Sequence, residues 1–174
     1  MQPPSPPEAW LRGPLPGIDA VLMPAAHALV QARDDITTAL VNAHAEELWE
    51  TPGGAASPGF HLRHLAGSLD RLLTYARGER LSPGQLAALA REGDPGATGQ
   101  ELERAVLGAI DRALEQLRRT PPGTLGDIRP VGRAGLPATV LGLLVHAAEH
   151  ASRHTGQFLT TLKIVRGLRP MPAA

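Results

Sequence analysis

The 174-residue chain contains no cysteine. This excludes disulfides, a thiolate metal site and a cysteine nucleophile. Any bound metal must be held by nitrogen or oxygen, and any reactive thiol must arrive on a cosubstrate. Aromatic residues are only 3%, too few for the stacked platforms that hold single-stranded nucleic acid. Net charge is also missing, because 17 Lys and Arg balance 17 Asp and Glu. No overall field draws the molecule to nucleic acid or anionic lipid, and neither is expected as a partner. No run approaches the roughly 18 apolar residues of a membrane span. Met1 to Trp10 has neither the basic start nor the apolar stretch of a signal peptide, so a cytoplasmic protein is expected. β-Branched residues are sparse beside Ala and Leu, which favours helix over strand.

What remains is a helical pattern punctuated by proline and glycine. Residues 1–17 hold Pro3, Pro4, Pro6, Pro7, Pro14 and Pro16 and read as an extended arm that packs near Trp10. From Ile18 to about Glu50 the spacing predicts one long helix, entered at Pro24 and buried along Ala25, Leu29, Ala32, Ile36, Leu40 and Ala43. Ser57-Pro58 opens a second helix running to about Arg77, with a stop at Gly78. It has two stripes: an apolar one of Leu62, Leu65, Leu69, Leu72 and Ala76, and a polar one of His61, His64, Ser68, Arg71 and Tyr75. A polar line beside an apolar line suggests a helix edging a cavity.

Ser82 to Gln85 and Thr98 to Glu101 are capping boxes. The first opens a short helix to about Arg91. The second opens a third long helix to about Arg119, buried along Leu102, Val106, Ala109, Ala113 and Leu117. Residues 120–135 form a long connection. The last helix is predicted from Pro137 to Arg166. These elements give an all-α fold, a four-helix bundle with one short extra helix and no strand. The arm is 1–17, the bundle 18–167 and the tail 168–174.

The chemistry-bearing pattern lies in Leu141 to Gln157. His146, His150 and His154 recur there at i, i+4 steps, which stack side chains near one face of a helix. Two imidazoles on adjacent turns can share a transition metal, and catalytic zinc usually takes a third protein ligand. His61 and His64 on the polar stripe of the second helix are both within reach, His64 being nearer its middle. His27 reads as solvated and His44 as a boundary residue. His146 reads as a supporting donor or a packing residue.

His146-Ala147-Ala148-Glu149-His150 also matches the H-x-x-E-H signature of inverzincin proteases. That chemistry needs a further acidic ligand downstream, and residues 151–174 contain no Asp or Glu. A carboxylate-bridged di-iron bundle needs paired E-x-x-H motifs, which are absent. Glu149 can orient a ligand imidazole or face water. Arg71, Tyr75 and Arg153 are candidates for binding an acidic thiol.

Gly59-Phe60-His61-Leu62-Arg63-His64-Leu65-Ala66-Gly67, followed by His150-x-x-x-His154-Thr155-Gly156-Gln157, resembles the DinB/YfiT-like superfamily. The resemblance covers roughly residues 20–167. It implies an up-down-down-up four-helix bundle, commonly dimeric. Its metal triad is one histidine of the second long helix and the HxxxH pair of the last, which by position are His64, His150 and His154. His61 and His146 are extra histidines that many members lack. Characterised relatives include thiol S-transferases using bacillithiol or mycothiol and a mycothiol-dependent isomerase. The resemblance therefore implies a metal-dependent S-transferase acting on small electrophiles in stress or detoxification, with a low-molecular-weight thiol as cosubstrate. The cation is a divalent transition metal, zinc first, then nickel or iron. The alternatives are a metal-dependent hydrolase using bound hydroxide and a non-catalytic metal-binding dimeric module. No catalytic residue is assigned.

Overall fold

A computed structural model describes residues 6–41 and 43–168. Four long helices carry it: α1 (Met23–Leu40), α3 (Pro58–Ala76), α5 (Gly99–Arg119) and α6 (Val140–Leu168). Two short helices, α2 (Ala45–Trp49) and α4 (Pro83–Ala90), lie in the connections. The caps form as the sequence indicates. Ser57 Oγ accepts from the Phe60 amide at 3.2 Å. Ser82 with Gln85, and Thr98 with Glu101, make reciprocal boxes.

Long-range contacts fix the direction of each helix. His61 faces His154 and His64 faces His150, so α3 and α6 run antiparallel. The start of α5 lies near Leu48, close to where α3 begins. Arg118 at its far end reaches the Pro16 carbonyl, below the start of α1. The bundle is therefore up-down-down-up. Since α3 and α5 run the same way, residues 77–98 must cross back along the bundle. That return carries α4: Gln85 bonds Asp70 and Thr74 at the lower end, and Arg63 reaches the Arg91 carbonyl near the upper end.

One core fills the bundle. Leu22, Ile36, Leu48, Leu62, Leu65, Leu69, Leu102, Ile110, Leu117, Leu144, Phe158 and Leu162 are fully buried side chains in it. At 25 cal/mol per Å² or so, burying each such side chain contributes about 1.5–3 kcal/mol. The sequence stripes lie inside, with two departures: Leu73 is buried where Leu72 is half-buried, and Ala43 is half-buried beyond the end of α1.

Three expectations are corrected. The first long helix is two, because α1 ends at Leu40 and His44 is extended (φ −85°, ψ 148°). Glu47 accepts from the His44 amide at 3.1 Å and also pairs with Arg166 at 3.1 Å. That carboxylate thus starts α2 afresh and ties it to α6, so His44 caps a new helix.

Second, residues 128–139 form an antiparallel hairpin of β1 (Ile128–Val131) and β2 (Leu136–Thr139). Pro130 and Pro137 sit opposite each other. Neither has an N–H, so this register puts them where the ladder requires no bond. Gly132 and Gly135, with φ of 68° and 62°, close the turn.

Third, the last helix begins at Val140, whose amide bonds the Asp127 carbonyl at 3.0 Å, and it continues to Leu168. Residues 1–5 of the arm and 169–174 of the tail lie outside the described residues. Within the arm, residues 9–11 make a single 3-10 turn, and Ala9 is buried while Trp10 is 63% exposed. The Ala9 amide donates to Gln31 of α1. No helix among the described residues is long and apolar enough to cross a membrane.

Candidate metal centre

Antiparallel packing of α3 on α6 brings the two histidine patterns face to face. His150 and His154 are one turn apart on α6, and His61 and His64 about one turn apart on α3, so a single crossing gathers four rings. His64, His150 and His154 each offer one ring nitrogen, and these nitrogens lie within 4.8 Å of one another. His64 Nε2 is 3.0 Å from His150 Nε2. The His64 and His154 ring centroids are 4.4 Å apart, and those of His150 and His154 4.6 Å.

Two of the three rings have a partner behind them. His64 Nδ1 is 2.7 Å from Glu92 Oε2, and Glu92 Oε1 accepts from Arg71 at 2.7 Å. Glu92 is 6% exposed. Burial raises its pKa, but the hydrogen bonds and charges of His64 and Arg71 outweigh this and hold it below the usual carboxylate range. An ionised carboxylate only accepts, so Nδ1 of His64 carries the proton. His154 Nδ1 is 3.2 Å from His61 Nδ1. His150 Nδ1 is buried with no hydrogen-bond partner.

Burial pushes the His154 pKa down to about 4, reinforced by the charges of His64, His150, His61 and Arg153. Burial likewise lowers His150, with His64 as the next cause, and lowers His61, again with His64 next. At neutral pH these three rings carry no charge, which is the form that binds metals.

The donor set fits a divalent transition metal. Bonds of about 2.0–2.1 Å place two zinc-bound nitrogens roughly 3.4 Å apart, close to the spacing already present. Two Nε2 atoms face each other at 3.0 Å, and a cation between the rings satisfies both lone pairs. The orphaned His150 Nδ1 leaves that ring with no protein group competing for its orientation.

Other candidates fall outside the cluster. His146 is exposed and pairs with Glu149 at 3.3 Å, and Glu149 also binds Arg153. Glu149 thus faces solvent on α6, and the carboxylate at the site is Glu92. Arg71 is engaged by that carboxylate. Tyr75 lines a cleft with Pro130 and Arg133 beside the hairpin; eleven residues beyond His64 on α3, it is about 16 Å away. His27 is not simply solvated, since its Nε2 is 2.9 Å from the Gly13 carbonyl. A cleft of about 680 Å³ lies at the lower end between Arg77, Asp111, Gln116, Arg129 and Val140. It holds no histidine, so size alone does not mark the chemistry. Glu92 was missed in the sequence because it follows α4 in a loop with no periodicity.

A family model described as the DinB superfamily matches residues 28–158. No curated protein matches the sequence. Among solved structures, the chain is similar to one titled as a conserved protein of locus from Enterococcus faecalis. The TM-score is 0.64 and the identity 19%, over 83% of this chain and 96% of that one. At that identity the likeness speaks for the fold.

Proposed function

The chain belongs to the DinB superfamily, and from that premise we propose that it is a metal-dependent enzyme in which His64, His150 and His154 hold one divalent cation, zinc first and nickel or iron next. The observation that carries this reading is the convergence of the three ring nitrogens within 4.8 Å. A neutral nitrogen set leaves the cation its full charge, so when bound it lowers the pKa of a thiol or water beside it. Glu92 and His61 hold the backs of His64 and His154.

The substrate reading is S-transfer to a small electrophile. Its support is the family resemblance together with the absence of cysteine, which assigns the nucleophilic thiol to a low-molecular-weight cosubstrate. In that reaction the thiol sulfur forms the new bond to carbon, the leaving group departs with its electron pair, and the thiol proton passes to solvent. The same reading takes the protein as a cytoplasmic homodimer serving stress or detoxification; sedimentation at micromolar concentration tests the dimer.

Elemental analysis of tag-free protein tests the core of the proposal. Wild type should carry about one metal per chain and His154→Ala essentially none. Consumption of a model thiol with chlorodinitrobenzene should then depend on the metal. Metal-dependent ester turnover without thiol selects the hydrolase reading instead. Full metal loading with neither turnover points to a non-catalytic module.

A further inference from the structure

The geometry points to a positioning role for Glu92: with Arg71 and Gly67 it forms a buried clamp that fixes the tautomer and orientation of His64. This rests on the metal reading above, and it assigns a role to three residues outside the triad. Glu92 lies just beyond the C-terminus of α4, in the return from the lower end of the bundle to the upper. Both its oxygens are used, one by His64 and one by Arg71. A buried charge is costly, and a buried ion pair is weak evidence of a stability role, because packed apolar groups serve at least as well. An orienting role accounts for the placement. Arg71, always cationic, keeps the carboxylate ionised. His64 Nδ1–H donates to the carboxylate, which leaves the Nε2 lone pair toward His150. Phe60 stacks on the His64 ring at 5.5 Å and 15°, limiting its rotation.

Gly67 is the second, independent mark of design. It sits inside α3, where glycine costs about 1 kcal/mol relative to alanine. A Cβ there would lie 2.5 Å from Glu92 Oε1 and 2.7 Å from Arg71 Nη1, too close for any real contact. Positions 60, 64, 67 and 71 recur along one face of α3. That face therefore carries the stacking ring, the ligand, the gap and the cation that holds the carboxylate. The return segment supplies the carboxylate itself.

The experiment compares wild type, Glu92→Gln and Gly67→Ala, with His150→Ala as the ligand control. Long-range proton–nitrogen NMR on metal-free protein reads the His64 tautomer. Chelator competition reads cobalt(II) affinity, and thermal melting of the metal-free proteins reads folding. His64 should be the Nδ1–H tautomer in wild type and lose that preference in both variants. Cobalt affinity should fall about 10–100-fold in both, without loss of the fold.

A wild-type His64 protonated on Nε2 overturns the clamp, whatever the variants do. So does wild-type cobalt affinity in both variants together with a raised Tm for Gly67→Ala, the result for a helix glycine with no role. If wild type and His150→Ala both fail to bind cobalt, the metal reading fails. The metal-free tautomer measurement then still decides the clamp.

Discussion

The two halves of the α3–α6 interface share an apolar core but differ in the polar groups they bury. In the lower half Leu69, Leu73 and Ala76 of α3 and Val140, Leu143, Leu144 and Ala147 of α6 are all buried. In the upper half the same helices bury His61, Ser68, His154 and Thr155 beside Leu62, Leu65, Ala151 and Phe158, with His64 and His150 half-buried among them, and Arg71 pairs with Glu92 from two turns below His64. Burying polar groups costs free energy unless they are paired. The upper half meets that condition through Glu92, Arg71 and the ring-to-ring contacts, leaving His150 Nδ1 without a partner. The lesson is a division of labour: apolar packing supplies the stability that lets the upper half hold paired polar groups and a three-histidine cluster.

The largest effect that sharpens this contrast should come from the lower half. Leu144 is 1% exposed. Leu144→Ala removes its burial and leaves a cavity, costing about 3–5 kcal/mol, read by urea denaturation. Metal content of the folded fraction should be unchanged. If the metal were lost as well, the two halves would not be separable.

Metal addition should act on the upper half alone. A cation that binds only the folded state stabilises it by about 2.7 kcal/mol at one hundred times its Kd. Thermal melts with and without zinc should show that gain in wild type and in Leu144→Ala, and none in His154→Ala. A zinc shift that survives His154→Ala would locate the metal elsewhere.

The apolar packing of the bundle was legible from residues. The stripes Leu62, Leu65, Leu69 and Leu102, Val106, Ala109 follow helical spacing, and Ser57, Ser82 and Thr98 announce helix starts. The HxxxH pair was legible too, because a one-turn repeat survives in any helix. Three things were not. Nothing in residues 41–44 is a helix breaker, and the restart depends on Glu47 bonding Arg166, a partner 119 positions away. The hairpin was hidden by Pro130 and Pro137, which argue against strand until their mutual register is known. Glu92 meets His64 only through the return of residues 77–98, a tertiary fact with no local sign. Arg71 is one candidate for an acidic thiol by sequence, and that same fold commits it to Glu92.

Acid should separate the halves more gently. His154 has a folded pKa of about 4, below the ordinary value near 6.5, and His61 and His150 are lowered as well. The unfolded chain therefore takes up protons at a pH where the folded rings do not. Metal-free stability should be flat above pH 6.5 and fall as the pH drops toward 4. For His154 the slope is at most about 1.4 kcal/mol per pH unit. Glu92 has a lowered pKa, so its contribution is lost only below the ordinary carboxylate value and leaves the window above it clear. Denaturant melts of metal-free wild type and His154→Ala between pH 7.5 and pH 5, as an order-of-magnitude range for this titration, check the sign. The variant should lose less stability over that span. An equal loss would mean that the rings are protonated in the fold, and the neutral ligand set would be gone.

The smallest effect tests whether the upper half depends on local helix chemistry as well as on its polar pairs. Ser57 is buried and caps α3 through its bond to the Phe60 amide, seven residues before His64. Ser57→Ala should cost about 1 kcal/mol, read by denaturant melting. Phe60, stacked on the His64 ring, belongs to the turn this cap closes. If the helix is held chiefly by its packing against α6 and α5, fraying at the cap stops short of His64 and cobalt affinity stays at the wild-type level. A parallel loss of affinity and stability would show instead that the first turn of α3 and the metal centre form one cooperative unit, with the cap helping to set the stacking that restrains His64.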